Sequence, residues 1–111
     1  IIACGPSDEL EAVVKKKNWP FPAVSSGKTS FNRDFGVMFT KEEVEKGTGK
    51  YNYGRKWTYG TQGPGISVFK KKDEDGESKV YHTYSTFAAG LSDLNATFSL
   101  LDITPDGRDE K

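Results

Sequence analysis

The chain has one cysteine, one histidine and one methionine in 111 residues, and its charges cancel, 16 Lys and Arg against 16 Asp and Glu. The single cysteine, Cys4, excludes a disulfide within the chain and any intramolecular dithiol–disulfide cycle. The single imidazole, His82, cannot build a multi-histidine zinc site, nor a catalytic triad without a placed nucleophile. Zero net charge supplies no field that would hold the chain on nucleic acid or an anionic membrane. No apolar run approaches the roughly 20 residues that span a bilayer. A signal peptide's basic end, apolar stretch and small-residue site are also missing. The expected cofactors are therefore none, with no nucleic-acid and no membrane partner. A lone free thiol suits a reducing cytoplasm. Because the sequence opens on Ile1-Ile2 rather than Met, an upstream extension of the natural chain is expected.

Aromatic bulk is present instead: 7 Phe, 5 Tyr and 2 Trp, where aliphatic residues are few. At this length one domain spanning 1–111 with a modest, aromatic-rich core is expected. There are no repeats and no linker.

Ile1-Ile2-Ala3-Cys4 reads as the end of a buried strand, stopped by Gly5-Pro6. Ser7 suits an N-cap, Asp8 and Glu9 complement the helix dipole, and Leu10, Val13 and Val14 form an inward stripe, predicting a helix over 7–17. Trp19-Pro20-Phe21-Pro22 cannot be helical. Ala23-Val24-Ser25 reads as a short edge strand, followed by a polar loop from Ser26 to Asp34. Thr40 and Glu43 have capping-box spacing and predict a short helix over about 40–46, ended by Gly47. Residues 50–65 read as loop. Ile66–Phe69 and Val80–Tyr84 alternate as strands around a charged turn at Asp75-Gly76. Leu91, Leu94, Phe98 and Leu101 recur as the stripe of a C-terminal helix. Asp102, Asp106, Asp109 and Glu110 read as a solvated tail. Strand–helix–strand at the start implies a parallel pair and the hairpin an antiparallel one, so the class is α/β, a mixed sheet with flanking helices.

Two stretches carry a resemblance. Trp19-Pro-Phe-Pro-Ala-Val-Ser-Ser26 with Phe31-Asn-Arg-Asp-Phe-Gly-Val37 looks like the middle of an uncharacterised thioredoxin-like family of bacteria and fungi. Pro64-Gly-Ile-Ser-Val-Phe69, Val80-Tyr-His-Thr-Tyr-Ser-Thr86, Gly90-Leu91 and Leu101-Asp-Ile-Thr-Pro-Asp-Gly-Arg-Asp-Glu110 are similar to that family's closing hairpin, helix and tail. The layout also resembles peroxiredoxins. In that register Ile1–Cys4 is the second core strand, and the first strand and redox helix lie upstream. Longer members carry a paired-cysteine motif that this chain lacks, so no residue of it transfers. A rival register aligns Cys4-Gly5-Pro6-Ser7 with the thioredoxin Cys-Gly-Pro-Cys turn and Pro64 with the cis-proline facing it. The resemblance implies a thioredoxin-like fold and no defined reaction.

Each candidate residue has a plain structural alternative. Cys4 before a helix N-terminus sits where the dipole favours thiolate, or it is a small strand-end hydrophobe. His82 faces one side of the hairpin as a ligand group or as a surface residue. Tyr53 and Trp57 belong to a segment, Lys50–Tyr59, that interleaves aromatics with cations. Such a segment grips single-stranded nucleic acid or an anionic aromatic ligand, or simply covers a sheet edge, the reading that a neutral chain favours. Asn32, with Arg33 and Asp34, makes a polar island between Phe31 and Phe35 that lines a site or ties its own loop. Gly47-Thr48-Gly49-Lys50 lacks the remainder of a P-loop, and Gly60-x-x-Gly63-x-Gly65 has the wrong order for a dinucleotide site. Asn95-Ala96-Thr97 has glycosylation spacing inside the expected last helix and no secretion signal.

The expectation is thus a thioredoxin-like protein without a dithiol centre, acting as a binding or assembly module on an unknown small-molecule or protein ligand. Its residues would be Tyr53, Trp57, His82, Asn32 and Pro64. The alternative is a monothiol redox or peroxide-handling enzyme using Cys4. An open sheet edge makes a homodimer the expected assembly.

Overall fold

A computed structural model describes residues 1–108, so the expected tail positions Asp109 and Glu110 lie outside the described residues. The chain is mixed α/β and divides into two compact units, Ile1–Gly63 and Pro64–Lys111.

In the first unit, strand β1 (Ile2–Ala3) pairs in parallel with β2 (Val24–Ser25), across helix α1 (Ser7–Lys17). This is the parallel pair expected from the strand–helix–strand order. The N-cap position of α1 falls on Pro6 and not on Ser7, and no side chain caps it. Asp8 and Glu9 in the first turn and Lys15–Lys17 in the last complement the dipole instead. Asn18 ends the helix in the left-handed conformation, its N–H donating to the Lys15 carbonyl. Contrary to the expected buried strand, Ile1 and Ile2 are exposed. With two residues per strand, this ladder offers little surface on which another layer could pack.

The expected loop between Ser26 and Asp34 contains a short helix, α2 (Phe31–Asp34). Helix α3 (Lys41–Lys46) starts where the capping box put it. The Glu43 N–H donates to the Thr40 hydroxyl, and the Glu43 carboxylate accepts from the Thr40 N–H. Gly47, at φ +62°, ends it.

Residues 50–65 are not all loop. Strands β3 (Lys50–Tyr51) and β4 (Arg55–Lys56) form a tight antiparallel hairpin whose turn holds Asn52, Tyr53 and Gly54 at positive φ. This hairpin carries the core of the unit. Phe39 and Tyr51, each 4% exposed, are the buried apolar side chains among the described residues. Trp57 stacks on Phe39 at 5.7 Å between ring centroids and meets Tyr51 at 4.5 Å. Gly49 and Gly63 fit beneath these rings, where an added Cβ would come within 2.9 Å of Phe39 and 3.0 Å of Tyr51. The aromatic-rich composition is used here: three rings do the work of an aliphatic core.

The second unit is built on a long antiparallel ribbon, β5 (Gly65–Glu74) with β6 (Glu77–Phe87). Its strands run further than the alternating apolar residues suggest. Lys70, Lys71, Lys72, Asp73 and Glu74 continue β5 because the ladder satisfies their backbone while their side chains stay in water. The turn is Asp75-Gly76, both at positive φ, as a two-residue hairpin requires. A bulge at Thr83 shifts the register between Val68 and Phe69. The expected C-terminal helix is two pieces. A 3-10 segment over Ala88–Leu94 gives way at Asn95 to α4 (Ala96–Asp102), and the Asn95 side chain accepts from the Thr97 N–H. Asn95 therefore caps a helix rather than lying inside one, because a short polar side chain competes for backbone donors. Among the described residues the sheets are three two-stranded pairs, not one mixed sheet. No helix among the described residues is long and apolar enough to cross a membrane.

Candidate functional site

The parallel β1–β2 pairing sets Ala3 beside Ser25, and so the next residues, Cys4 and Ser26, come out side by side. Their Sγ and Oγ atoms are 3.7 Å apart. Helix α2 brings Asn32 under them. The buried Ser26 hydroxyl donates to Asn32 Oδ1 at 2.8 Å, which leaves the amide's Nδ2 end facing the sulfur. Nδ2 donates to Cys4 Sγ at 3.0 Å and to Gln62 Oε1 at 3.3 Å. Gln62 Oε1 also lies 3.6 Å from Sγ, where it accepts from the thiol. Because Oδ1 has no proton to give, Ser26 must be the donor, and its hydroxyl sets the orientation of the whole amide. The sulfur thus lies between an amide N–H that donates to it and an amide oxygen that accepts from its thiol.

Cys4 is half-buried and opens on a depression of about 640 Å³, lined by Pro6, Ser7, Asp8, Ser25, Gly27 and Lys28. Ser25 donates to the Gly5 carbonyl at 2.6 Å and ties β2 to the start of α1. Gly27 passes so close that a Cβ there would sit 2.6 Å from the Cys4 carbonyl oxygen. Asp8 and Lys28 give the depression one charge of each sign.

Of the expected site residues, the fold brings Cys4 and Asn32 together. Trp57 is part of the aromatic core, its indole N–H donating to the Gly60 carbonyl at 2.6 Å. Tyr53 stands 83% exposed in the β3–β4 turn. His82 and Pro64 belong to the second unit. The His82 ring packs against Phe69, its Nε2 lying 2.7 Å from Ser85 Oγ and 3.1 Å from the Tyr84 carbonyl. The bond before Pro64 is trans, unlike the cis-proline of the rival register. Ser26 and Gln62 were not singled out from the sequence. Ser26 was within reach of it, since a parallel β1–β2 pair places the residues after both strands together. Gln62 was not: it arrives by a bridge with Met38, distant in sequence.

Beside this cluster, Arg33 makes two hydrogen bonds of 2.6 Å to the Glu43 carboxylate and links α2 to α3. These bonds, with the Thr40 N–H, hold the Glu43 carboxyl down from the ordinary 4.5 to about 2, and Glu43 in turn raises the Arg33 guanidinium. The folded carboxylate binds a proton less readily than the unfolded one. Its contribution to stability is therefore complete above about pH 4.5 and is lost as pH falls toward about 2. Thermal unfolding between pH 5 and 2 should show Tm dropping across this window, and Glu43→Gln should flatten the drop.

The chain belongs to the family described as "Bacterial protein of unknown function (DUF899)", whose model matches residues 1–111. No curated protein and no solved structure matches it.

Proposed function

We propose that this chain is a thioredoxin-like domain without a dithiol centre, in which Cys4 works as a monothiol that exchanges with low-molecular-weight disulfides. One observation carries the proposal: the Asn32 amide, oriented by buried Ser26, donates to Cys4 Sγ at 3.0 Å. In the exchange the Cys4 thiolate attacks one sulfur of the incoming disulfide. A Cys4–sulfur bond forms, the original S–S bond breaks, and the second sulfur leaves as a thiolate carrying the electron pair. A second small thiol reverses the step, so no further oxidant is needed. Asn32 stabilises the attacking thiolate, and the depression beside Cys4 leaves room for the substrate.

The parallel β1–α1–β2 unit followed by an antiparallel hairpin supports the thioredoxin-like assignment, and one free thiol fits the cytoplasm. Open edges on two-stranded sheets support a homodimer. Exposed Tyr53 and Tyr59, on a segment that also carries Arg55 and Lys56, favour a second role in binding or assembly.

Intact mass after incubation with oxidised glutathione tests the exchange. One glutathionyl group per chain is expected, removed by dithiothreitol and absent in Cys4→Ser. Asn32→Ala should slow its formation by about tenfold, the loss of one hydrogen bond to a charged acceptor. An unmodified chain, or a rate no faster than that of an unstructured single-cysteine peptide, would overturn the proposal.

A further inference from the structure

The bulge at Thr83 decides which side chains share a face of the ribbon. It places Ile66, Val68, Tyr84 and Tyr81 together on one side and sends His82 to the other with Phe69. All four are exposed, Tyr84 to 56%. The same face carries Lys70, then Lys72 directly opposite Lys79, and at the tip Glu74 opposite Glu77. Like charges directly opposite each other weaken an isolated pair of strands, and the Lys72–Glu74 pair at 3.6 Å relieves this in part. A two-stranded ribbon is also marginal in water unless a helix or further strands cover it. The 3-10 segment packs on its base, and α4 packs on that segment in turn.

Next to it the unit exposes a second apolar surface of opposite charge. Ala96, Leu100 and Ile103 fall at i, i+4 and i+7, with Leu100 63% and Ile103 81% exposed, and Leu94 lies exposed just before them. The acids here are Asp93, Asp102 and Asp106, and among the described residues Asp102 is paired with Arg108. An apolar face flanked by lysines and an apolar helix flanked by aspartates complement each other in charge.

We propose that a second copy of this chain supplies the cover: α4 of each copy docks on the Ile66–Val68–Tyr81–Tyr84 face of the other's ribbon. The contact is reciprocal, as a two-fold dimer requires. Exposed side chains of the two surfaces, counted over both contacts, offer on the order of 1,500 Å², within the roughly 1,200–2,000 Å² of stable protein pairs. Lys70 and Lys79 meet Asp93 and Asp106 of the other copy, so added salt weakens the pair. The inference rests on the homodimer part of the function proposed above and is independent of Cys4.

Light scattering coupled to size exclusion, on the 111-residue chain at micromolar concentration, tests it. The unsubstituted chain is expected to run as a dimer. Tyr84→Lys and Ile103→Asp should each raise the dimer dissociation constant about tenfold or more. Both positions are exposed, so far-UV circular dichroism should match the parent; should Tyr84→Lys lose it, Val68→Lys on the same face carries the test. Mixing the two variants should restore a mixed dimer through its one intact contact. A monomeric parent would overturn both this interface and the homodimer. Dimers that survive both substitutions would overturn this interface alone, as would a mixture that stays monomeric.

Discussion

Phe39→Ala is expected to unfold the first unit, or to bring it to the edge of unfolding, at room temperature. Phe39 is one of the two buried apolar side chains among the described residues, and the Trp57 ring stacks on it. Removing a buried phenyl ring costs about 3–5 kcal/mol, the lost transfer energy plus the cavity left behind. A unit the size of Ile1–Gly63 has a total stability of only about 3–9 kcal/mol. The truncation therefore takes a large share of what holds the unit together. Urea unfolding followed by tryptophan fluorescence reads the change, since Trp57 sits in the affected cluster. Phe39→Leu, which refills most of the space, should retain a cooperative transition. A Phe39→Ala chain that unfolds within about 1 kcal/mol of the parent would mean that the aromatic cluster is not the core.

Gly27→Ala should be the most damaging change of a single methyl group near the candidate site. Its Cβ would sit 2.6 Å from the Cys4 carbonyl oxygen, and a backbone atom cannot swing aside as a side chain can. Either β2 or the turn after β1 must move. Both carry the polar cluster, because the Ser26 N–H donates to the Ala3 carbonyl and Ser25 to Gly5. Overpacking of this kind costs about 1–3 kcal/mol. The lowered Tm should come with slower mixed-disulfide formation at Cys4, as Ser26 loses its hold on Asn32. A variant with parental Tm and parental Cys4 reactivity would show that the close approach of Gly27 does not matter. The two substitutions separate core from site: Phe39→Ala acts through packing, Gly27→Ala through the backbone beneath the sulfur.

What could be read in advance follows from the range of the interactions. The capping box at Thr40 and Glu43 spans three residues, and the Asp75-Gly76 turn is a two-residue device. Both were legible because their partners are neighbours in sequence. The break at Asn95 was masked by apolar periodicity, since Leu91, Leu94, Phe98 and Leu101 fit one stripe whether or not the helix is continuous. The β3–β4 hairpin was hidden in a glycine-rich stretch. Its strands are two residues long and too short to show alternation. The length of the ribbon was underestimated for a different reason: charged residues in β5 keep their side chains in water while their backbone pairs.

Cys4 shows where sequence ends and tertiary structure begins. The sequence by itself determined that the chain has one thiol and no intramolecular dithiol cycle, because that depends only on composition. It also determined that this thiol precedes a helix, because Gly5-Pro6 and the residues after them act locally. Only the tertiary structure decided what surrounds the sulfur. Asn32 lies 28 residues away and Gln62 58 residues away, and each reaches Cys4 through a separate element. Contacts of that span leave no periodicity or spacing in the chain, since any polar side chain on a loop of the right length makes the same pattern. Parallel pairing of β1 with β2 and the placement of α2 turn a lone cysteine into one hydrogen-bonded by an oriented amide.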